Sequence, residues 1–153
     1  MSEMYKLNLP EYSFRYRINN EKQHIFDFIR KKYVVLSPEE WVRQNFIKWL
    51  VNNKHFPAGL IAVEKELKLN DLKKRYDIVV YNNCHAPALL VECKAPGVKI
   101  TQKVFDQAAR YNMVLKVSYL VVTNGIEHYC CFIDFEKETY FFMDQIPDYE
   151  KLF

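Results

Sequence analysis

Two acidic residues and a lysine on neighbouring extended segments carry the most chemistry in this sequence. The first segment reads Arg75-Tyr76-Asp77-Ile78-Val79-Val80-Tyr81, the second Leu89-Leu90-Val91-Glu92-Cys93-Lys94. Both are rich in β-branched and aromatic residues and lack breakers, the composition of strands. Asn82-Asn83-Cys84-His85-Ala86-Pro87 supplies turn residues between them. A hairpin centred between Cys84 and His85 sets Asp77 opposite Glu92, with Cβ atoms about 4.5–5.5 Å apart. Lys94 follows Glu92 by two residues and shares its face. Like charges so placed repel, and a divalent cation between them reverses the sign, since Mg²⁺ favours carboxylate oxygens. The lysine then holds a nucleophilic water or a phosphate oxygen. Asp77, Glu92 and Lys94 therefore point to metal-dependent phosphodiester hydrolysis, with Mg²⁺ as cofactor and Mn²⁺ as its substitute.

Several elements must position these groups. Ser37-Pro38-Glu39-Glu40 opens a helix with a capping-box pattern, and Pro38 suits the first helical position. Val42, Phe46, Trp49 and Leu50 form its apolar stripe, and Asn52-Asn53 ends it. Leu60 to Leu69 reads as a strand, with Ile61, Val63, Leu67 and Leu69 on one face and Ala62, Glu64 and Glu66 on the other. Ala95-Pro96-Gly97 stops the lysine strand, and Thr101 caps a helix through about Lys116. Val104, Ala108, Tyr111 and Leu115 fall at helical spacing along that helix, and Gln107 and Tyr111 are neighbours four residues apart. Tyr119-Leu120-Val121-Val122 is a buried strand ending in Thr123-Asn124-Gly125. Strand, helix, strand implies a crossover and a parallel pairing. Glu127–Phe135 and Thr139–Met143 read as a hairpin. Residues 11–18 alternate loosely as an N-terminal strand, and Ile146 to Tyr149 is a packed tail. The order predicts an α/β fold with a central mixed sheet flanked by helices, α-β-β-β-α-β, plus a C-terminal hairpin.

Acid, gap, then acid-x-lysine resembles the signature of the PD-(D/E)XK nuclease superfamily. The stretch from Arg30 to Gln44 looks like the N-terminal domain of type I restriction enzyme R subunits. So do Glu64, Lys74-Arg75-x-Asp77, Val91-Glu92-Cys93-Lys94-Ala95-Pro96, Gln107-x-x-x-Tyr111 and Thr123-Asn124-Gly125. The resemblance covers roughly residues 26 to 147. It implies a restriction-endonuclease-like core over about 37–125 and hydrolysis of DNA. It also implies metal ligation by Asp77, Glu92 and the backbone carbonyl of Cys93, with Gln107 and Tyr111 positioning the nucleic acid. A third acidic ligand often comes from the first helix, where Glu40 matches, although Glu40 is equally the third residue of the capping box. Glu64, on the polar face of the preceding strand, competes for that role. No Gly-x-x-x-x-Gly-Lys-Ser/Thr loop is present, so ATP-driven translocation does not carry over. The expectation is a stand-alone nuclease-like domain, or one whose motor or specificity subunits lie on other chains. A DNA- or partner-binding module of nuclease ancestry is the alternative, and a homodimer is left open.

The bulk properties agree with one domain of 153 residues, half of them hydrophobic. A net charge of +3 excludes a histone-like binder, and the local run Lys73, Lys74 and Arg75 before Asp77 is placed to contact phosphates. The four cysteines lack paired C-x-x-C spacing, which reads as reduced thiols in a cytoplasmic protein. A zinc site from Cys84, His85, His128 and a later cysteine is the less favoured reading. No signal peptide appears, and no apolar run approaches the ~20 residues of a membrane helix. No Gly-x-Ser-x-Gly elbow supports acyl transfer.

Overall fold

Valine, isoleucine and leucine dominate the middle of the chain, and there they build a six-stranded mixed sheet. A computed structural model describes residues 4–153. The sheet contains β4 (Ile61–Leu69), β5 (Leu72–Tyr81), β6 (Pro87–Cys93), β7 (Tyr119–Thr123), β8 (His128–Asp134) and β9 (Thr139–Met143), paired in that order. Only β6 and β7 run parallel, joined through helix α2 (Gln102–Leu115) as the crossover pattern requires. Helix α1 (Pro38–Asn53) precedes the sheet in sequence. Val42, Phe46, Ile47 and Leu50 of α1 pack on Ile78, Val80, Leu89, Val91 and Val121. Phe105, Ala108 and Ala109 of α2 pack on Leu120, Val122, Cys131 and Ile133. Alternate residues of β7 thus face different helices, which is why its sequence is a continuous apolar run.

Both helices begin where capping chemistry predicts. Ser37 Oγ accepts from the Glu40 amide at 3.0 Å, and Thr101 Oγ1 from the Val104 amide at 3.4 Å. The α2 stripe differs from its sequence reading. The buried residues are Phe105, Ala108, Ala109 and Asn112, while Val104, Tyr111 and Leu115 lie half-buried along its flank. Asn112 was hidden by its polarity: its amide donates to the carbonyls of Val117 and Tyr119, tying the helix end to β7.

The N-terminal region holds more than one strand. β1 (Tyr16–Asn19), β2 (Lys22–Asp27) and β3 (Lys32–Val35) form a separate antiparallel sheet. Asn20 and Glu21 both have positive φ in a two-residue hairpin loop, a geometry usually signalled by glycine. Ile25 and Asp27 of β2 are fully buried, and Gln44 of α1 donates to Asp27. This second sheet therefore covers the polar side of α1. As a result Glu40, Arg43 and Gln44 are buried along with the apolar stripe.

Strand β4 also departs from simple alternation. Ile61 and Val63 pack with the α1 side, but Leu67 joins Ala62, Tyr76 and Val79 on the α2 side. The switch falls at Glu64, whose φ is +51°. Pairing with β5 runs Val63↔Ile78 and resumes at Lys65↔Tyr76, omitting Glu64 and Asp77. Both strands turn over there, since Tyr76 faces the α2 side while Ile78 faces α1. A left-handed glutamate costs about 1–3 kcal/mol, so the surroundings must hold it in place.

Candidate active site

The register expected for the β5–β6 hairpin is the one found near the site. Ile78↔Val91, Val79↔Leu90 and Val80↔Leu89 pair, and one step is slipped only at Tyr81↔Pro87 near the turn. Asp77 and Glu92 lie one step beyond the last of these pairs. There the Asp77 side chain takes over from the ladder, its Oδ2 accepting from the Cys93 amide at 2.8 Å.

The kink at Glu64 and Asp77 meets the start of α1 in a dense ionic network. Arg43 donates to Asp77 Oδ1 at 2.6 Å and to Glu40 Oε1 at 2.6 Å, and also reaches Glu39 at 3.4 Å and Glu64 at 3.6 Å. Arg30, from the turn between β2 and β3, bonds Asp27 at 2.6 Å, both oxygens of Glu40 at 3.1 and 3.2 Å, and Glu64 at 3.2 Å. Gln44 bridges Asp27 at 2.9 Å and Glu40 at 3.0 Å. Five carboxylates, Asp27, Glu39, Glu40, Glu64 and Asp77, thus share two guanidinium groups.

The titration of these groups records that crowding. Burial lowers the Arg43 pKa, but the Asp77 hydrogen bond and the Glu40 and Asp77 charges outweigh it, so the guanidinium is held charged. Glu39 is raised, first by burial and then by the Asp77 charge. Burial also raises Asp27, yet its bonds from Arg30 and Gln44 bring the net shift below the usual carboxylate value. The Cys93 thiol is pushed far up by complete burial and then by Asp77, so its sulfur stays protonated.

Glu92 is engaged elsewhere. Its carboxylate pairs with Lys74, whose ammonium lies 4.7 Å from the Tyr76 ring centre and 4.4 Å from that of Tyr111. Burial, followed by the Glu92 charge, pushes the Tyr76 hydroxyl pKa up. Each carboxylate of the expected pair therefore has its own cation, Arg43 for Asp77 and Lys74 for Glu92. Among the described residues no three of His, Cys, Asp or Glu converge closely enough to hold a metal ion.

Residues 38–147 match the family model described as type I restriction enzyme R protein N terminus. The chain belongs to this family. A solved fragment described as an HsdR subunit of a type I restriction enzyme from Vibrio vulnificus YJ016 shares the fold, with a TM-score of 0.53 and 17% identity. The match covers 76% of this chain and 24% of that one, so the chain spans about a quarter of its length. No curated protein sequence matches the chain.

In this R-protein N-terminal domain the structure brings some sequence-selected residues together and leaves others apart. Lys74 and Tyr111 gather at Glu92. The charge of Lys94 reaches Glu39 at the α1 start, where it partly offsets the upward shift from burial and Asp77, and the Lys94 amide donates to the Thr123 carbonyl at 2.8 Å. Gln107 and Arg75 are exposed. Glu40 corrects the capping-box reading: its amide is capped by Ser37, but its carboxylate turns to Arg30, Arg43 and Gln44. Its apparent position away from the apolar stripe holds no exposure, because β1–β3 cover that side. Arg30, Asp27, Arg43 and Gln44 were missed as a group. The spacing of Glu39 and Glu40 to Arg43, four and three residues, was the available signal. His128 is spoken for by Thr123 at 2.7 Å and the Asn8 carbonyl at 2.9 Å, and stacks on Trp49, which removes it from a zinc site. No helix of the described residues is long and apolar enough to cross a membrane.

Proposed function

We propose that this domain is a Mg²⁺-dependent nuclease that hydrolyses DNA phosphodiester bonds. The observation that carries the reading is the surplus of negative charge at the β4–β5 kink, where five carboxylates surround two arginines. Such a cluster of hard oxygen donors suits Mg²⁺, which needs only one or two carboxylates beside water and substrate phosphate. Asp77 and the Cys93 carbonyl would hold the ion at the kink, with Glu40 or Glu64 as the further acid, and Glu92, paired with Lys74 outside this cluster, would join them on leaving that lysine. Of those two, Glu64 is the more accessible, since Glu40 is buried under three donors. When bound, the metal lowers the pKa of a water and polarises the phosphate.

The protein's own groups supply the rest. Release of Asp77 by Arg43 and of Glu92 by Lys74 frees both carboxylates, and the two cations are then available to phosphate oxygens. Lys94 stabilises charge developing on the phosphate. Tyr111, with Lys74 against its ring, and Gln107 on the next turn of α2 orient the backbone, and Arg75 adds a phosphate contact.

The test is Mg²⁺- and Mn²⁺-dependent cleavage of linear, circular and single-stranded DNA by wild type, Asp77→Asn, Glu92→Gln and Lys94→Ala. Asn at 77 keeps an acceptor for the Cys93 amide, so loss of cleavage is separable from unfolding. Cleavage abolished in all three variants is expected; wild-type rates in all three would remove the site assignment. A second reading, a binding module of nuclease ancestry, is favoured by the internal pairing of both carboxylates. It predicts cleavage only after a motor or specificity subunit is added.

A further inference from the structure

The small sheet β1–β3 presents a second surface, outside the segment matched by the family model. Arg17↔His24↔Val35 and Phe26↔Tyr33 are cross-strand partners, so these residues share the face opposite the buried Ile25 and Asp27. The Arg15 guanidinium lies 4.0 Å from the Phe26 ring centre, and that of Arg17 lies 4.0 Å from the Tyr33 ring centre. Lys48 of α1 lies 4.5 Å from Phe28, and a concavity lined by Ser13, Phe14, Arg15, Phe26, Phe28 and Lys48 continues the surface.

Residues 15–35 contain six Lys or Arg and two Asp or Glu, a net +4 against +3 for the whole chain. The positive charge of the protein is thus concentrated in this segment, with Arg30 alone of the six spent in the acidic network. Among the described residues, Arg15, Arg17 and Lys48 form no ion pair. Their positive charge is complementary to a polyanion. Arginine planes braced on aromatic rings also offer stacking surfaces for bases. A duplex hides its base faces and gains nothing from such stacking, whereas a single strand gains from both.

We propose that the Arg15/Arg17/Phe26/Tyr33 face of β1–β3 binds single-stranded nucleic acid, by phosphate contact and stacking. The turn that follows β2 delivers Arg30 into the acidic network, so the sheet that carries this face is anchored to the candidate site by its other side. The inference deepens the nuclease reading by naming the strand form contacted and rests on it for its purpose. The two fail separately, because binding is read in EDTA, where metal-dependent cleavage is absent.

The experiment is fluorescence anisotropy of labelled dT12 and of a mixed-sequence 12-bp duplex with the whole chain in EDTA, across a salt series. Wild type should bind dT12 more tightly than the duplex. Arg15→Ala/Arg17→Ala should weaken dT12 binding about tenfold at low salt and reduce the log–log salt slope by about 1.4. Arg15→Lys/Arg17→Lys keeps both charges; it should keep the slope yet still weaken binding, because ammonium groups do not stack. Lys137→Ala, in the distant β8–β9 turn, should bind as wild type. Absence of dT12 binding, equal affinity for the duplex, or unchanged binding by both double variants would overturn the proposal. Circular dichroism confirms that each variant is folded, and the lysine variant carries the test if the alanine variant is not.

Discussion

Arg30 and Arg43 are enclosed by five carboxylates, whereas Arg15 and Arg17 lie on aromatic rings and meet none. The four side chains are identical, and what differs is the element that carries each one. Arg43 projects from the first turns of α1 into the break between β4 and β5. Arg30 reaches the same place from a turn whose Asp27 carboxylate accepts the Ile29 and Arg30 amides at 2.8 Å each. Arg15 precedes and Arg17 lies within the edge strand of a small sheet whose inner face is already filled. The guanidinium group keeps its charge in either setting. Enclosed, it neutralises acids and fixes strands; exposed, it remains available to an outside polyanion.

The largest expected effect breaks the enclosed half of this comparison. Arg43→Ala leaves Glu40 buried and Asp77 facing Glu39 and Glu64 with one fewer cation. Removing one partner from a buried ionic cluster typically costs about 3–5 kcal/mol. At this chain length each kcal/mol corresponds to roughly 2–4 °C in Tm. Urea unfolding should show this loss, and Mg²⁺ should recover more stability in the variant than in wild type. A loss below about 1 kcal/mol would mean that the network is solvated and that its acids are not held against repulsion.

Acid sharpens the comparison next. The folded pKa of Asp27 lies below its unfolded value, so its contribution is fully present above the unfolded pKa. It is lost as pH falls through that value, about 3.9, toward the folded one. Asp27→Asn should be destabilised by about 1–3 kcal/mol at pH 7, having exchanged a charged acceptor of four donors for a neutral one. The gap between wild type and variant should close as pH falls below about 4. Urea midpoints from pH 7 to pH 2.5 measure it, and a gap independent of pH would assign the cost to packing.

How much of this was legible follows the range of the forces involved. The α1 and α2 starts were readable because a capping hydroxyl acts within one helical turn. The β5–β6 register was readable because Ile78, Val80, Leu89 and Val91 must all reach one core. The kink left only a faint mark: the alternation through Ile61, Val63, Leu67 and Leu69 is interrupted once, by Lys65 beside Glu64. Glu64, left-handed at the kink, meets both Arg30 and Arg43, partners distant in sequence or on another element. Sheet β1–β3 was obscured for a related reason. Its strands are four to six residues long, and their buried side carries an aspartate, Asp27, held by the following turn, Arg30 and Gln44 of α1. Asp77 and Glu92 could be selected from sequence, but their separate cations could not, since Arg43 comes from α1 and Lys74 from within β5.

The smallest expected effect concerns the exposed pair. Arg15→Ala/Arg17→Ala removes two cation–π contacts at the surface, each worth about 0.5–1 kcal/mol, and strands no carboxylate. The double variant should therefore lose only about 1 kcal/mol, well short of the single Arg43→Ala change, when both are followed by thermal unfolding in the same buffer. Added salt separates them further. Screening acts on solvent-exposed charges and little on enclosed pairs, so the crowded cations along β1–β3 repel less as salt rises. The stability difference between wild type and the exposed double variant should move in favour of wild type, while the Arg43→Ala deficit holds nearly constant. If instead the double variant proves as costly as Arg43→Ala, Arg15 and Arg17 are structural clamps for Phe26 and Tyr33, and the face they cover is not kept free for a ligand.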